Sequence, residues 1–305
     1  MDSDLLIIGA GPAGLTAAQY GARANLNVLV LEQLAPGGQV LVIDALENYP
    51  GNVANKSGYE LAMDMHKQAE SFGAFFLTAQ ADSIKKEGDI FTVGLSDGSA
   101  KTSSTVIIAT GSKPRLLGIP GEKEFTGRGV SYCATCDGYF FKGKKIIVAG
   151  GGDAACDEAY FLSRLSQHVT IVHRRDTFRA QKALAARTLE NPNIKVRFNT
   201  VIKEVKGDKK VTRVVLADTI SGEVFEEETD AVFIFVGTKP QSAIVKGIAA
   251  LDDEGCIITD SKMSTNIAGL FAAGDIRSGT FRQVVTAAAD GAVAAHSASE
   301  YIDSL

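Results

Sequence analysis

Near its N-terminus the chain reads Leu5-Leu6-Ile7-Ile8-Gly9-Ala10-Gly11-Pro12-Ala13-Gly14. The four apolar residues predict a strand that is buried on both faces, and residues 15–24, rich in alanine and leucine, predict a helix. A second apolar run at residues 27–31 predicts another strand, which ends at Glu32, eighteen residues after Gly14. Together these features predict a βαβ dinucleotide-binding unit, in which the helix N-terminus meets the pyrophosphate and the acid holds a ribose hydroxyl.

A second unit of this kind begins with an apolar strand at residues 144–149. It continues into the turn Gly150-Gly151-Gly152-Asp153-Ala154-Ala155. A helix to about residue 165 and a strand at residues 169–172 complete the pattern. The chain is therefore predicted to contain two βαβ units.

The residues after the second strand differ between the two units. The first unit has Glu32 there, while the second has His173, Arg174 and Arg175, with Arg179 one helical turn further on. A carboxylate suits a free ribose 2′-hydroxyl, whereas guanidinium groups suit a 2′-phosphate. We therefore expect the units to bind different dinucleotides, the second of them phosphorylated. The alternative is a solvated basic helix start without a ligand.

Upstream of the second unit lies Cys133-Ala134-Thr135-Cys136-Asp137-Gly138. Two thiols three positions apart can close a small disulfide that a thiolate can break and remake. Asp137 places a proton donor and acceptor beside the pair, although an Asp-Gly sequence is also typical of a plain turn. Half of a zinc site is the alternative for the cysteines. A tetrahedral site needs about four ligands, and the other cysteines and the histidines have no ligand spacing, so no metal is predicted.

The composition excludes several classes of protein. A formal net charge of −5 argues against general nucleic-acid binding, and no apolar run approaches the roughly 18 residues of a membrane span. The acidic N-terminus lacks the features of a signal peptide. Cys156 and Cys256 are isolated, which suits a reducing compartment and small buried side chains. We therefore expect a cytoplasmic protein without nucleic-acid or membrane partners.

Two breaks that contain proline and glycine, at residues 113–121 and 236–240, interrupt the regular pattern. They predict that the middle of the chain is inserted into the first domain, which gives the segments 1–114, 115–241 and 242–305. Further helices are predicted at residues 59–72 and from residue 286 to about 301. Further strands are predicted at residues 75–84, 90–95, 104–109, 194–198, 209–217, 231–236, 257–260 and 269–273.

Small residues mark two more strand ends at which a ligand could approach the backbone. Ala109-Thr110-Gly111 follows one apolar strand, and Gly274-Asp275 follows another. Asp275 could bind a ribose or ribityl hydroxyl. A plain strand end and helix capping by Asp275 are the alternatives.

Taken together, these motifs resemble those of the low-molecular-weight thioredoxin reductases, flavoproteins with a redox disulfide in their pyridine-nucleotide domain. The matching stretches follow the family's order and are residues 9–14, 37–39, 109–111, 133–138, 150–155, 173–179 and 274–284. The resemblance implies an α/β fold of two Rossmann-like, three-layer dinucleotide-binding domains, with the NADPH domain inserted into the FAD domain.

The resemblance also implies which residues contact the two cofactors. At FAD it places Gly9, Gly11, Pro12, Ala13, Gly14, Glu32, Gln33, Gly37, Gly38, Gln39, Asn48, Ala81, Ala109, Thr110, Gly111, Gly274, Asp275, Arg282, Gln283 and Val284. At NADPH it places Gly152, Asp153, Ala154, His173, Arg174, Arg175 and Arg179.

By the same resemblance, electrons pass from NADPH through FAD and the Cys133–Cys136 disulfide to thioredoxin or a thioredoxin-like protein. Cys136 is implied to be the sulfur nearest the flavin, Cys133 to attack the substrate, and Asp137 to protonate the leaving thiolate. A homodimer is also implied. Because the disulfide and the nicotinamide need the same face of one flavin, we expect the inserted domain to rotate about hinges at residues 113–121 and 237–242.

The chain departs from the family at two positions. Ala154 stands where many relatives carry a hydroxyl that can meet the phosphate, so the affinity for NADPH could be lower than the arginines suggest. Gln241, directly after the second break, stands where many relatives have asparagine. The alternative function is that of a same-fold flavoprotein with another donor or acceptor: a ferredoxin-fed reductase, a peroxiredoxin-system reductase or an NADPH oxidase.

Overall fold

A computed structural model describes residues 1–43, 46, 48–53 and 56–305, with the side chains of Val42 and Cys136 left out. The chain folds into two compact units. Met1–Lys113 and Lys239–Leu305 form the first unit, and Pro114–Thr238 form the second. The second unit therefore lies within the first in sequence.

The helices and strands follow one another closely along the chain. The first part contains β1 (Ser3–Ile8), α1 (Pro12–Arg23), β2 (Val28–Glu32), α2 (Gly58–Ser71), β3 (Phe75–Thr78), β4 (Ala81–Glu87), β5 (Ile90–Leu95), β6 (Ala100–Ile108) and β7 (Ser112–Pro114). The middle part contains β8 (Val130–Ser131), α3 (Ala134–Asp137), β9 (Ile146–Gly150), α4 (Asp153–Leu165), β10 (Val169–Val172), α5 (Lys182–Leu189), β11 (Ile194–Arg197), β12 (Thr200–Gly207), β13 (Val211–Asp218), β14 (Val224–Glu228) and β15 (Ala231–Phe235). The last part contains β16 (Thr238–Pro240), β17 (Leu270–Ala272) and α6 (Val284–Asp303).

A seven-stranded sheet of order β3-β2-β1-β6-β5-β4, with β17 also paired to β6, forms the centre of the first unit. β1 pairs in parallel with β2 and β6, whereas β4, β5 and β6 are antiparallel. Alternate residues of β1 enter two separate cores, because successive side chains of a strand point to opposite faces. Leu5 and Ile7 pack with residues of α1 and α6, and Leu6 and Ile8 pack with Phe91 on the other face.

The second unit has a parallel sheet of order β11-β10-β9-β15-β8 and a separate antiparallel sheet of order β12-β13-β14. The central strand β9 also divides its residues between two cores. Ile147 packs with Val214 of the antiparallel sheet, while Ile146 and Val148 pack with Leu162 of α4. Both units are thus α/β with parallel strands, which confirms the predicted fold class. No helix in the part of the chain described here is long and apolar enough to cross a membrane.

Several predicted elements were wrong in detail. The single strand at residues 75–84 is two strands, because β3 pairs with β2 and the chain then turns so that β4 pairs with β5. Residues 257–260 form no strand: the amide of Ile257 bonds Ile276 while that of Ile258 bonds Ala250, so no continuous ladder can form. The prediction also missed α5 and β12, and it left β14 open as a strand or loop end.

Candidate nucleotide-binding and redox sites

The glycine turn after β1 is shaped by close backbone contacts. Gly9 has a left-handed φ of 102°, and a Cβ atom there would lie 2.5 Å from the carbonyl oxygen of Ala109. A Cβ atom at Gly14 would lie 1.9 Å from the Gly9 carbonyl oxygen, so α1 packs directly on the turn. At Gly11, in contrast, a Cβ atom would meet nothing within 4 Å. Gly11 gives α1 no side-chain cap, so the free amides of the helix N-terminus lie beside open space that suits a phosphate.

Glu32, at the end of β2, directs its carboxylate to this turn. Oε2 accepts a hydrogen bond from the Ala10 amide at 2.8 Å, and Oε1 accepts one from the Leu34 amide at 3.0 Å. These bonds fix the carboxylate and leave each oxygen with a further lone pair for a ribose hydroxyl. Gln33 follows it in exposed chain.

The loop at residues 37–39 lies against the same turn. The Gly37 amide donates to the Ala10 carbonyl at 2.7 Å, and a Cβ atom at Gly38 would lie 3.2 Å from the Gly11 Cα atom. The Gln39 side-chain amide donates to the first carbonyl oxygen of β7 at 2.9 Å. The structure therefore brings together the candidate residues of the turn, the acid and this loop.

The strand end after β6 is held by Gln241, one of the two departures from the family. The Thr110 hydroxyl donates to the Gln241 carbonyl at 2.9 Å, and the Gln241 side-chain amide donates to the Thr110 carbonyl at 2.6 Å. The Gln241 amide also donates to the Gly111 carbonyl at 2.9 Å. The side chain of Gln241 therefore anchors this strand end through a hydrogen bond of its own.

The segment from Gly274 to Arg282 is tied to α6 by a largely buried ion pair. Arg277 Nη1 lies 2.6 Å from Asp290 Oδ2, which also accepts from the Gly274 amide at 3.1 Å. Burial raises the pKa of Asp275, while the charge of Arg282 opposes that rise. The sequence interpretation missed Arg277 and Asp290, although an acid in the alanine-rich run that becomes α6 is an unusual residue that could have drawn attention.

Of the remaining candidate FAD residues, Asn48 and Gln283 contact each other, whereas Ala81 lies far from β1 in the sheet order. The Asn48 side-chain amide donates to Gln283 Oε1 at 2.9 Å, which joins two of them. Gln283 is the N-cap residue of α6, so Asp275 does not cap this helix and the capping alternative is wrong. Ala81 begins β4, three strands from β1 in the sheet order.

The glycine turn after β9 repeats the backbone contacts of the first turn. Gly150 has a φ of 150°, and a Cβ atom there would lie 2.3 Å from the Phe235 carbonyl oxygen. Gly152 precedes α4 without a side-chain cap, and a Cβ atom there would meet nothing within 4 Å. Asp153 accepts two hydrogen bonds from Gln181, one from its backbone and one from its side chain. This turn therefore also offers an open helix N-terminus to a phosphate.

The basic cluster of the second unit divides into a buried imidazole and exposed guanidinium groups. His173 is only 6% exposed, and a Cβ atom at Gly151 would lie 2.3 Å from its ring. Burial is the largest cause that lowers the pKa of His173 and keeps the ring neutral near pH 7. Arg174, Arg175 and Arg179 are exposed, and the Arg179 amide donates to the Gly151 carbonyl at 2.7 Å. The three arginines are therefore the cations available to a phosphate.

The redox segment runs from β8 into α3. Cys133 is disulfide-bonded, and its backbone is held by Ser131, whose Oγ accepts from the Cys133 amide at 3.1 Å and donates to its carbonyl at 3.2 Å. The Asp137 amide donates to the Cys133 carbonyl at 3.2 Å. Gly138 packs on α4, where a Cβ atom would lie 2.9 Å from the Leu162 side chain. The Cys136 side chain lies outside the described part of the chain.

The other two cysteines are buried free thiols. Burial raises the pKa of Cys156 to about 11 and also raises that of Cys256, so neither is a ready thiolate near neutral pH. Among the described residues no group of three or more histidine, cysteine, aspartate or glutamate side chains could hold a metal ion. A disulfide-bonded Cys133 also offers no thiolate to zinc.

Comparison with known proteins gives a consistent result. The family model described as pyridine nucleotide-disulphide oxidoreductase matches residues 3–291. A thioredoxin reductase of Treponema pallidum is 54% identical over 304 residues, which cover 100% of this chain and 98% of that protein. A thioredoxin reductase of Bacillus subtilis is 45% identical over 305 residues, covering 99% of this chain and 95% of that protein. The crystal structure of Lactococcus lactis thioredoxin reductase matches with a TM-score of 0.95 at 43% identity, covering 99% of this chain and 100% of that one.

Proposed function

The chain belongs to the pyridine nucleotide-disulphide oxidoreductase family, and from this premise we propose that it works as a thioredoxin reductase. Its cofactors are FAD and NADPH. The net reaction moves two electrons from NADPH to the disulfide of thioredoxin and, with one proton from solvent, yields NADP⁺ and two thiols. The observation that carries this function is the disulfide-bonded Cys133, which lies in a chain with two open glycine turns.

The first unit would hold FAD, and the residues present fit that cofactor. The open N-terminus of α1 at Gly11 suits a pyrophosphate, and the fixed carboxylate of Glu32 suits a ribose hydroxyl. Asp275 supplies a second acceptor, beside Arg282. When bound, FAD supplies the electron carrier between NADPH and the protein disulfide.

The second unit would hold NADPH. Gly152 leaves space at the N-terminus of α4, and Arg174, Arg175 and Arg179 offer guanidinium groups for a 2′-phosphate. His173 contributes differently, because its buried neutral ring packs under Gly151 and so supports the shape of the turn. Asp153 binds Gln181 and thereby holds the segment after the arginines to α4.

The cysteines carry the exchange with thioredoxin. In the reduced pair, the thiolate of Cys133 attacks one sulfur of the thioredoxin disulfide, and the other sulfur leaves as a thiolate. The thiolate of Cys136 then attacks the Cys133 sulfur, re-forms the intramolecular disulfide and releases the second thioredoxin thiolate. Each released thiolate takes one proton. We assign the delivery of one of these protons to Asp137, whose backbone amide bonds the Cys133 carbonyl.

Domain rotation is part of this proposal, with hinges at residues 113–121 and 237–242. What supports the hinges is that the boundaries between the two compact units, after Lys113 and after Thr238, fall in these segments. A covalent cross-link between the units is expected to stop turnover and to leave FAD bound. Full turnover in the cross-linked protein would disprove the rotation.

The proposal extends to the partner and the setting. A thioredoxin-like protein is the substrate, two chains form a homodimer, and the enzyme acts in the cytoplasm. The close relatives named thioredoxin reductase support the substrate. The isolated, buried Cys156 and Cys256 support a reducing compartment.

Anaerobic titration with NADPH and with NADH, followed by oxidised thioredoxin, tests the function. NADPH is expected to bleach the bound flavin at lower concentration than NADH, and oxidised thioredoxin is then expected to restore the colour. Flavin that NADPH does not bleach would favour a ferredoxin-fed enzyme. Undiminished NADPH oxidation in the variant with both Cys133→Ser and Cys136→Ser would favour an oxidase.

A further inference from the structure

A buried carboxyl group to which the mechanism has so far given no role, that of Glu122, joins two segments of the second unit. Glu122 is 1% exposed, and its side chain accepts three hydrogen bonds. The donors are the Leu117 amide at 2.8 Å, the Gly118 amide at 2.6 Å and the Tyr132 phenol at 2.9 Å. A buried carboxyl group is tolerated only when its oxygens are hydrogen-bonded. The three donors and the acid therefore form one unit, which we call the Glu122 clamp.

One arm of the Glu122 clamp reaches the redox segment. Tyr132 directly precedes Cys133, whose backbone is also held by the Ser131 hydroxyl. Burial, followed by the hydrogen bond to Glu122, raises the pKa of Tyr132 to about 12, so the phenol stays protonated and remains a donor at physiological pH. Cys133 is therefore preceded by two anchored residues, Ser131 and Tyr132.

The other arm holds the segment through which the chain enters the second unit. The unit begins at Pro114, and Leu117 and Gly118 follow within the predicted hinge at residues 113–121. Both amides donate hydrogen bonds to the Glu122 side chain. The upstream residues Lys113 and Arg115 are not part of the clamp. The clamp thus connects the end of the predicted hinge to the residue before the reactive cysteine.

We propose that Glu122 and Tyr132 are positioning residues that hold Cys133 where its disulfide closes and thereby set the reduction potential of that disulfide. The proposal rests on the proposed function and adds residues to its site. A disulfide is favoured over two thiols by the local concentration of one sulfur at the other. Anchoring the chain before Cys133 raises that concentration, so loss of the anchor favours the dithiol and makes the potential less negative.

The test is a redox titration of the FAD-loaded enzyme in mixtures of reduced and oxidised dithiothreitol. Two electrons and two protons pass from this dithiol to the protein disulfide, and the reagent becomes its cyclic disulfide. After acid quenching and alkylation, mass spectrometry of the peptide with Cys133 gives the reduced fraction. The titration uses no thioredoxin and no NADPH, so it is independent of the substrate.

Two variants and two matched controls are compared. Tyr132→Phe removes only the phenol oxygen and is expected to shift the equilibrium about tenfold toward the dithiol, which is about 30 mV. Glu122→Gln is expected to shift it at least as far, because an amide nitrogen cannot accept from a backbone N–H. Glu124→Gln, at an exposed acid two residues away, and Tyr20→Phe, in the first unit, are expected to leave the potential unchanged.

An unchanged potential in folded Tyr132→Phe would overturn the proposal. This variant keeps both amide bonds to Glu122, so it decides the question even where Glu122→Gln does not fold. A wild-type disulfide that dithiothreitol cannot reduce would instead contradict the proposed function. Equal shifts in Tyr132→Phe and in the control Tyr20→Phe would also count against the clamp.

Discussion

The two glycine turns of this chain share their backbone and differ in their packing. Gly9 and Gly150 both have a positive φ, and a Cβ atom at either would clash with a carbonyl oxygen at the end of a neighbouring strand. Gly11 and Gly152 both leave the following helix without a side-chain cap and with open space beside it. These common features are what binding of a pyrophosphate requires, so they recur in both units.

The differences begin one turn further along the helix. In the first unit, the Gly14 Cα atom approaches the Gly9 carbonyl so closely that no side chain fits, whereas the second unit accommodates Ala155 at the same place. The strand ends then diverge completely, since Glu32 bonds the turn amide of Ala10 and His173 packs its ring under Gly151. Backbone geometry therefore defines a dinucleotide-binding turn, while the residues around the turn determine which nucleotide it binds.

The largest effect is expected from exchanging the last residue of the two glycine motifs, Gly14 in the first unit and Ala155 in the second. Gly14→Ala places a Cβ atom 1.9 Å from a carbonyl oxygen. We expect it to lower the free energy of unfolding by about 3 kcal/mol and to weaken the retention of FAD. Ala155→Gly creates no clash and is expected to cost about 1 kcal/mol through helix propensity. Thermal unfolding of each variant, monitored through the release of flavin, measures both effects. Equal losses in the two variants would contradict the difference in packing between the turns.

Glu158 makes the stability of the second unit depend on pH. The corresponding residue of the first unit, Ala17, has no titratable side chain. Burial, with the charge of Asp157, raises the pKa of Glu158 to about 7 from 4.5, and one of its oxygens is buried without a described hydrogen bond. The folded chain therefore keeps a proton that the unfolded chain loses, so its stability falls as the pH rises from 4.5 to 7.

Glu158→Gln is expected to remove this slope and to stabilise the second unit by about 2 kcal/mol at pH 8, with little gain near pH 4. Urea unfolding of the variant and of wild type across this range measures the difference. Glu190→Gln, at an exposed acid after α5, is the control. A stabilisation that is the same at pH 4 and pH 8 would show that the charge of Glu158 is not its cause.

Removing a guanidinium group tests whether the second unit binds the 2′-phosphate of NADPH. Arg175→Ala is expected to raise the KM for NADPH about tenfold and to leave the KM for NADH unchanged, because NADH lacks the 2′-phosphate. The flavin content is expected to stay the same. Arg213→Ala, which removes an exposed arginine paired with Glu226 on the antiparallel sheet, is the control. Equal rises for NADPH and NADH would contradict the role given to Arg175.

The smallest expected effect comes from restoring a hydroxyl at the start of α4. Ala154→Ser is expected to lower the KM for NADPH about threefold, since an exposed hydroxyl at a helix N-terminus adds one donor for a phosphate. Ala183→Ser, in the exposed first turn of α5, controls for the substitution itself. A KM that stays within error of wild type would show that this departure from the family carries no cost.

Local patterns predicted the parts of the fold that local chemistry determines. The run before Gly9 and the alanine-rich helix after it were recognised because burial and periodicity are visible in single segments. β3 and β4 were merged because the Ala79-Gln80 turn between them contains no proline or glycine. α5 was missed because its amphipathic pattern is short, and β12 was missed because Lys203, Glu204 and Lys206 interrupt its apolar residues.

The candidate site was predictable only as far as its motifs reach. The turns, Glu32 and the arginines lie in recognisable spacings, but the Glu122 clamp joins residues 117, 118, 122 and 132 through contacts that no spacing signals. The burial of His173 likewise depends on Gly151, Phe178 and Phe198 around its ring. The roles of Cys133 and Cys136 toward substrate and flavin stay predictions from family resemblance.

The split first unit has a consequence for how the protein is made. The helix that packs most closely on α1 is α6, where a Cβ atom at Gly291 would lie 2.1 Å from the Ala13 carbonyl oxygen. Since α6 follows the whole inserted unit in sequence, a ribosome makes that unit before the partner of α1 exists. The inserted unit can complete its own core during synthesis, whereas the N-terminal segment must wait with an apolar face uncovered. Chaperone demand should therefore fall on the first residues to emerge, although they belong to the most recognisable motif in the chain.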